Sequence, residues 1–491
     1  MSPLLFGFVT YFVLTLVVGV LAMRRNRSMD SYLIADRRLG AWVAAFSERA
    51  SGESAWLLIG LPGVAYASGL SAWWVGIGCV SGIAFSWFVV ARRLREQTTA
   101  LGALTVTDYL EARTGDRTRA VRVTATLIVL FFFTFYVAAQ FLAAGKVLNT
   151  YLGISPLAGM LIGAGLVLFY TMAGGLYAVA WTDLIQGIIM LFTLAVLPLA
   201  VLHEVGGPAG LHQKLAAAGA TYTSWAPGET GWRAVAGVLG SLAIGLGYMG
   251  QPHLVLRFMA MGSDAEVRKG RAIAIGWALI AFSGAILVGL VGLAWYGPDA
   301  VTRGLLPDQE RLMPELARAF MPAWLSVIMI CGAIAAMMST ADSQLLSSAS
   351  AVSEDIYRRL VRPDADQRTL LAVSRWATLG VGVVAFILAW RAQALVYTLV
   401  LYAWAGLGAA FGPPLLLSLW WRRIHRDGVL AGMIAGTVTV LVWYNVPALK
   451  AQLYEMIPGF LVSLAATVLW SLRRPAPATA QTGGERHDRQ G

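Results

Sequence analysis

Three charged residues stand where an apolar helix should run. In Phe46-Ser47-Glu48-Arg49-Ala50-Ser51-Gly52-Glu53-Ser54-Ala55-Trp56-Leu57-Leu58-Ile59-Gly60-Leu61-Pro62-Gly63, Glu48, Arg49 and Glu53 sit among small and apolar side chains. A charge near a bilayer centre costs at least ~2.5 kcal/mol, so a lipid-facing helix does not carry three. The stretch reads as a helix broken at Ser51-Gly52, its freed carbonyls lining a polar cavity, the setting in which such a break is tolerated. A second set is Ala336, Ser339, Thr340, Asp342 and Ser343. Residues three and four apart share a helix face, so these oxygens gather on one side. Hydroxyls, carbonyls and a carboxylate are what a hard cation takes. Ser and Thr alone would also serve helix packing; Asp342 requires a cation, a proton or an arginine. Asp183 opens another apolar run and is either a further ligand or a helix cap. Gly245-Leu246-Gly247-Tyr248-Met249-Gly250-Gln251-Pro252-His253 interrupts a third run with Gly, Gln and Pro.

The elements that must hold these residues are membrane helices. The chain has 491 residues, 58% hydrophobic and 13% charged, with a mean hydropathy of +0.68. Soluble domains carry about 25% charge. Apolar runs of about 20 residues recur, the length that spans a bilayer as helix. The alternation of a transmembrane barrel is absent. The net charge of +11 is dispersed between apolar runs, so it reports topology and not nucleic-acid binding. Cys79 and Cys331 lie in apolar runs and imply no disulfide framework. The N-terminal run lacks a positive leader and a small-residue cleavage site, so it reads as a helix and not a signal peptide.

Thirteen spans are expected: 4–22, 39–66, 71–91, 122–149, 153–173, 179–202, 232–258, 272–296, 321–350, 371–390, 394–417, 428–446 and 455–472. With the N-terminus outside, cytoplasmic segments hold 27 of the 37 Lys and Arg, which favours N-out, C-in in the cell (inner) membrane. Two longer external loops carry short helical stretches, Leu211–Ala218 and Asp308–Ala319. Residues 1–472 form one transmembrane domain: 1–38 a first helix and loop, 39–202 and 232–417 two five-helix repeats, 428–472 the last two helices. Residues 473–491 are polar and read as a disordered cytoplasmic tail. The two broken spans, second and seventh, are five apart. Paired broken helices are the sequence pointer to an inverted-repeat secondary transporter. No nucleophile–base pair or His/Cys metal set converges in the spans, so an enzyme is not expected. No pattern sets an oligomeric state.

The chain resembles the sodium:solute symporters, and most of all the bacterial sodium/proline branch. The resemblance is carried by Ala50-Ser51…Ser54-Ala55-Trp56-Leu57-Leu58-Ile59-Gly60-Leu61-Pro62-Gly63, by Leu246–His253 with Arg257-Phe258-Met259-Ala260, by Met338-Ser339-Thr340 with Ser353-Glu354-Asp355-Ile356-Tyr357, and by Ala403–Pro413. It implies an all-α polytopic fold with thirteen helices and a LeuT-type inverted five-helix repeat core. It implies sodium-driven import of a small organic solute, plausibly proline or a related amino acid, with no organic cofactor. The partners implied are Na+, the solute and the lipid bilayer. Carried over, the sodium ligands are Ala50, Glu53, Ala336, Ser339 and Thr340. A second cation or proton site falls on Asp183, Asp342 and Ser343. The solute site falls on Ser54, Trp56, Tyr136, Tyr248, Gln251 and Pro252. Four positions depart from the branch: its Asp is Gly52 here, the following Met is Glu53, a Trp of the substrate helix is Ile244, and a hydroxyl or small residue is Asp342. Glu53 is therefore expected to replace part of the missing charge, unless Arg49 pairs with Glu53 or Glu48 instead. Proton coupling through Glu53, Asp342 and Asp183, and a sugar or carboxylate as solute, are the alternative readings.

Overall fold

The computed structural model describes residues 3–23, 33–226, 230–392 and 394–473. Arg24, Arg25, Arg27 and the tail from Arg474 lie outside them. Among the described residues all regular structure is helical, apart from one isolated bridge between Leu39 and Met261. The principal helices are α1 Pro3–Met23, α2 Ala41–Ala55, α3 Leu61–Ser68, α4 Trp73–Phe85, α5 Ala91–Leu101, α6 Val106–Thr114, α7 Ala120–Leu152 and α8 Pro156–Glu204. They continue with α9 Gly231–Ala243, α10 Pro252–Met259, α11 Asp264–Tyr296, α12 Ala323–Ser350, α13 Gln367–Arg391, α14 Val396–Trp420, α15 Arg426–Asn445 and α16 Met456–Leu472. Each segment expected from the sequence falls on helix. Among the described residues nine helical stretches are long and apolar enough to cross a membrane by length and composition. The first of them, Ala41–Leu101, joins two expected spans. The expected helical stretches in the two longer loops are present as Gly207–Ala218 and Leu312–Phe320.

The first interruption lies at Ser54, not at Ser51-Gly52. Ser54 has φ 45° and ψ −171°, while Gly52 stays helical. The reason is packing: a Cβ at Gly52 would lie 3.1 Å from Leu254 Cδ1, so its small size serves close contact between α2 and α10. At Ser54 the helical ladder is replaced by side chains. Gln140 Oε1 accepts the N–H of Ala55 at 3.1 Å, and Ser54 Oγ accepts that of Trp56 at 3.3 Å. The chain then makes a wide π-turn, Trp56–Gly60, before α3.

The second interruption follows the sequence closely. α9 tightens into a 3-10 turn over Ile244–Gly250, and Gln251 is extended at φ −88°, ψ 107°. A residue before proline is driven out of the helical region, and Pro252 then starts α10 without needing its absent N–H. The glycines permit contact with α14: a Cβ on Gly247 would fall 1.9 Å from Trp404 Nε1. A third reversal, at Gly175 (φ 61°, ψ 176°), divides α8 into the fifth and sixth expected spans.

α12 and α14 are the most enclosed of the long apolar helices, and α13 the most exposed. Large apolar side chains such as Trp376, Phe169 and Trp232 point outward. That is the inverse of a soluble surface and suits contact with lipid. Both interruptions therefore sit inside a shell of helices, where their irregular backbone is shielded.

Candidate functional site

The first interruption meets α12. Ser339 Oγ donates to the Ala50 carbonyl at 3.0 Å and lies 3.1 Å from that of Ala336. Thr340 Oγ1 donates to the Ser51 carbonyl at 2.9 Å and lies 3.5 Å from that of Ala50. All of these residues are fully buried. Four of the five expected sodium ligands, Ala50, Ala336, Ser339 and Thr340, thus present oxygens to one another, an oxygen-only set suited to a hard cation. The Glu53 carbonyl accepts the N–H of Trp56 across the break.

Beside this set lies a buried charge network that the sequence reading resolved only in part. Arg257 of α10 is at its centre. Its Nη2 is 3.3 Å from Asp183 Oδ2, 2.9 Å from Ser51 Oγ and 2.6 Å from Ser343 Oγ, and its Nε donates to Ser47 Oγ at 3.1 Å. Ser47 in turn donates to Asp183 Oδ2 at 2.6 Å. Asp342 does not bond Asp183. It accepts from Ser343 at 3.1 Å and meets the Tyr170 hydroxyl. The expected trio of Asp183, Asp342 and Ser343 is thus brought together through the Arg257 guanidinium. Arg257, Ser47 and Tyr170 were not singled out as ligands; an arginine inside an apolar run was the available signal.

The three charges of the opening stretch form their own cluster. Arg49 donates from Nε and Nη2 to both oxygens of Glu48, the former at 2.6 Å, and from Nη1 to Glu53 Oε1 at 2.6 Å. Trp87 Nε1 donates to Glu48 Oε2 at 3.1 Å. The Tyr248 hydroxyl lies 3.0 Å from Glu53 Oε2 and 3.2 Å from Oε1. Of the two expectations for Glu53, pairing with Arg49 is the observed one.

The expected solute residues lie at both interruptions and on α7. Trp56 packs between Phe282 and Tyr397, with ring centroids at 5.8 and 6.1 Å. Tyr248 stands edge-on to Trp404 at 4.7 Å. Gln251 Nε2 donates to the Trp404 carbonyl at 3.1 Å, leaving Gln251 Oε1 without a partner; the buried Tyr136 hydroxyl also has none. Pro252 lies away from the aromatic wall and lines a small cavity of about 40 Å³ with Thr107, Ser347 and Asp355. A cleft of about 560 Å³ is lined by Ile244, Tyr397, Leu401, Tyr454, Arg233 and Lys450. Phe282, Tyr397 and Trp404 were missed as wall residues because a buried aromatic in an apolar run carries no signal of its own.

Comparison with known proteins accords with this geometry. The Sodium:solute symporter family profile matches residues 32–436. The chain is 39% identical over 468 residues to the high-affinity proline transporter PutP of Bacillus subtilis, covering 95% of this chain and 97% of that one. It is 37% identical over 481 residues to the sodium/proline symporter of Escherichia coli, covering 98% and 95%. Among solved structures, a Na+-coupled sialic acid symporter in a substrate-bound outward-open state superposes with a TM-score of 0.81 at 20% identity, over 97% of this chain and 99% of that one. A nucleobase-cation-symport-1 family transporter in a closed conformation gives 0.57 at 15% identity, over 91% and 96%. These two share the fold. The helical architecture, the profile match and the relatives agree: this integral membrane protein belongs to the sodium:solute symporter family.

Proposed function

We propose that the chain imports proline, or a closely related amino acid, together with sodium by alternating access. The observation that carries this reading is the convergence of main-chain and hydroxyl oxygens from α2 and α12 beside an aromatic-walled break in α2. Ala50, Ala336, Ser339 and Thr340, with the Glu53 carbonyl one turn along, are the proposed sodium ligands. Ser54, Trp56, Tyr136, Tyr248, Gln251 and Pro252 are the proposed solute residues. An apolar wall with few polar groups suits a small zwitterion. The proline transporters among the relatives support the solute class. A further cation at Asp183, Asp342 and Ser343 would have to displace the Arg257 guanidinium, which already neutralises Asp183. This favours one sodium per solute.

The chain is placed in the cell membrane with thirteen crossings, N-terminus outside and C-terminus inside, on the distribution of Lys and Arg. Residues 39–202 and 232–417 are the two repeats of one transport domain. The test is a sodium-gradient uptake screen in proteoliposomes over amino acids, sugars, carboxylates and nucleobases. Proline is expected to accumulate only with an inward sodium gradient. If proline neither accumulates nor competes, the solute assignment fails; sodium-independent, pH-driven uptake would overturn the coupling.

A further inference from the structure

We propose that the side chain of Glu53 is a specificity-determining ligand for an ammonium group on the solute. The site then takes amines, zwitterionic or cationic, and rejects carboxylates that lack an amine. This deepens the proposed function and rests on its placement of the solute at the first interruption.

The argument is one of charge and hydrogen-bond inventory. Glu48, Arg49 and Glu53 are all buried, at 1%, 0% and 0% exposure. Two carboxylates share one guanidinium, so the cluster as ionised carries one excess negative charge. A buried charge needs a partner. The guanidinium favours Glu48, to which it donates two N–H groups in a fork; Glu53 receives one, at Oε1. Bidentate pairing is the stronger of the two arrangements. Glu53 Oε2 has only the Tyr248 hydroxyl, at 3.0 Å.

Two independent observations point to what completes it. The buried polar atoms without partners among the proposed solute residues are Tyr136 Oη and Gln251 Oε1. Gln251 Oε1 can only accept, and the tyrosine hydroxyl can accept as well as donate. The main-chain donors at the break are already engaged: Ala55 N–H by Gln140 and Trp56 N–H by Ser54. With both carboxylates ionised, the site offers acceptors and a net negative charge, and holds few free donors. A carboxylate finds repulsion there. An ammonium supplies a positive charge to Glu53 and two or three N–H donors to acceptors of this kind. Sodium would also match acceptors, so the experiment must separate the two.

The test uses the full chain in detergent and follows thermal stabilisation at saturating sodium. The probes are L-proline, L-proline methyl ester, which keeps the ammonium and masks the carboxylate, and N-acetyl-L-proline and cyclopentanecarboxylate, which keep the carboxylate without the ammonium. The first two are expected to stabilise the protein and the last two are not. Glu53→Gln is expected to raise the half-saturating amine concentration at least about tenfold, equivalent to about 1.4 kcal/mol, while the sodium midpoint moves less than about twofold. The proposal is overturned if the amine-free carboxylates stabilise as well as proline, or if Glu53→Gln retains amine affinity. It is also overturned if the sodium midpoint shifts as much as the amine midpoint, since the side chain would then serve the ion. Should Glu53→Gln fail to fold, Glu53→Asp keeps the charge and must keep selectivity for amines; loss of that selectivity also overturns the proposal. If an amine other than proline binds under these rules, the proposal stands and the proline assignment falls. If no amine binds, the proposal falls.

Discussion

Ser339 and Thr340 each direct one hydroxyl proton at a main-chain oxygen of the first interruption. A neutral hydrogen bond contributes about 0.5–1.5 kcal/mol. Ser339→Ala and Thr340→Ala are therefore each expected to raise the sodium concentration for half-maximal uptake by about 2- to 12-fold, read from sodium titrations of transport. Arg257 makes a sharper case. Arg257→Met leaves the Asp183 carboxylate buried without its cation, and breaking a buried pair costs about 3–5 kcal/mol. Thermal unfolding in detergent should show that loss. Adding Asp183→Asn removes the orphan charge and should restore part of it; additive losses would mean that the two do not form a pair. Gly52 illustrates how far single residues could be read from the sequence. Its departure from the family's Asp was visible, but its consequence was not. A Cβ there would point within 3.8 Å of Arg49 Nη2, so the guanidinium stands where an acidic side chain would reach. The candidate partners of that guanidinium, Glu53 or Glu48, were legible; that it takes both was not. Glu53 lies four residues on, a helical neighbour, whereas Glu48 is adjacent in sequence and adjacent residues do not normally face one another.

At the scale of elements, length and hydropathy were enough to locate the helices, because a bilayer of fixed thickness sets helix length. The second interruption was legible for a separate reason: Gln251-Pro252 and three nearby glycines are local instructions written in residue type. The first was misplaced by two residues because Gly52 looks like a breaker and Ser54 does not. A non-glycine residue at φ 45° is held there by its surroundings and costs of order 1–3 kcal/mol. Those surroundings, Gln140 from α7 above all, are distant in sequence. The two interruptions should therefore respond differently to a methyl group. Gly247→Ala places a Cβ 1.9 Å from Trp404 Nε1, whose N–H donates to the Ile244 carbonyl at 2.8 Å. The indole cannot yield without losing that bond, so a loss of about 3 kcal/mol is expected, at the upper end for overpacking. Gly52→Ala meets the methyls of Leu254 at 3.1 and 3.3 Å and Arg49 Nη2 at an ordinary 3.8 Å, and its thermal midpoint should stay within a few degrees of the parent. Equal effects at the two sites would contradict the close approach of α14 to the Ile244–Gly250 turn.

For the whole molecule, two cavities of very different size border the Ile244–Pro252 stretch, one at each end. One end opens into the cleft of about 560 Å³ between Tyr397, Arg233 and Lys450. At the other, the cavity behind Pro252 is only about 40 Å³, and it is walled by Thr107, Ser350 and Asp355. Ion pairs gather at that end. Arg122 of α7 reaches Asp108 and Glu111 of α6, each at 2.6 Å, and also Asp355, which continues α12. Arg37 adds bonds to the carbonyls of Thr98, Ala103 and Met259 at 3.1, 2.6 and 3.0 Å. At the cleft end the corresponding tie is Glu310, which accepts from Lys146 at 2.6 Å and from the N–H groups of Val396 and Tyr397 at 3.0 and 2.8 Å. Alternating access requires two such states to differ by only a few kcal/mol, so weakening a tie made in one state shifts the population toward the other. Asp355→Asn removes one ion pair from the Arg122 end while leaving Arg122 two carboxylates. The expected result is faster modification of a Ser350→Cys reporter by a membrane-impermeant thiol reagent added from the Arg122 side, and slower modification of a Leu401→Cys reporter from the cleft side. Glu310→Gln keeps an acceptor for one main-chain N–H but loses its Lys146 pair; because its bonds and the Arg122 pairs are made in the same state, it is expected to move both rates in the same direction as Asp355→Asn. Rates that rise together at both ends would indicate general loosening of the fold. Opposed changes are the signature of a two-state path, and Asp355 and Glu310 share no hydrogen-bond partner, so their effects should add when combined.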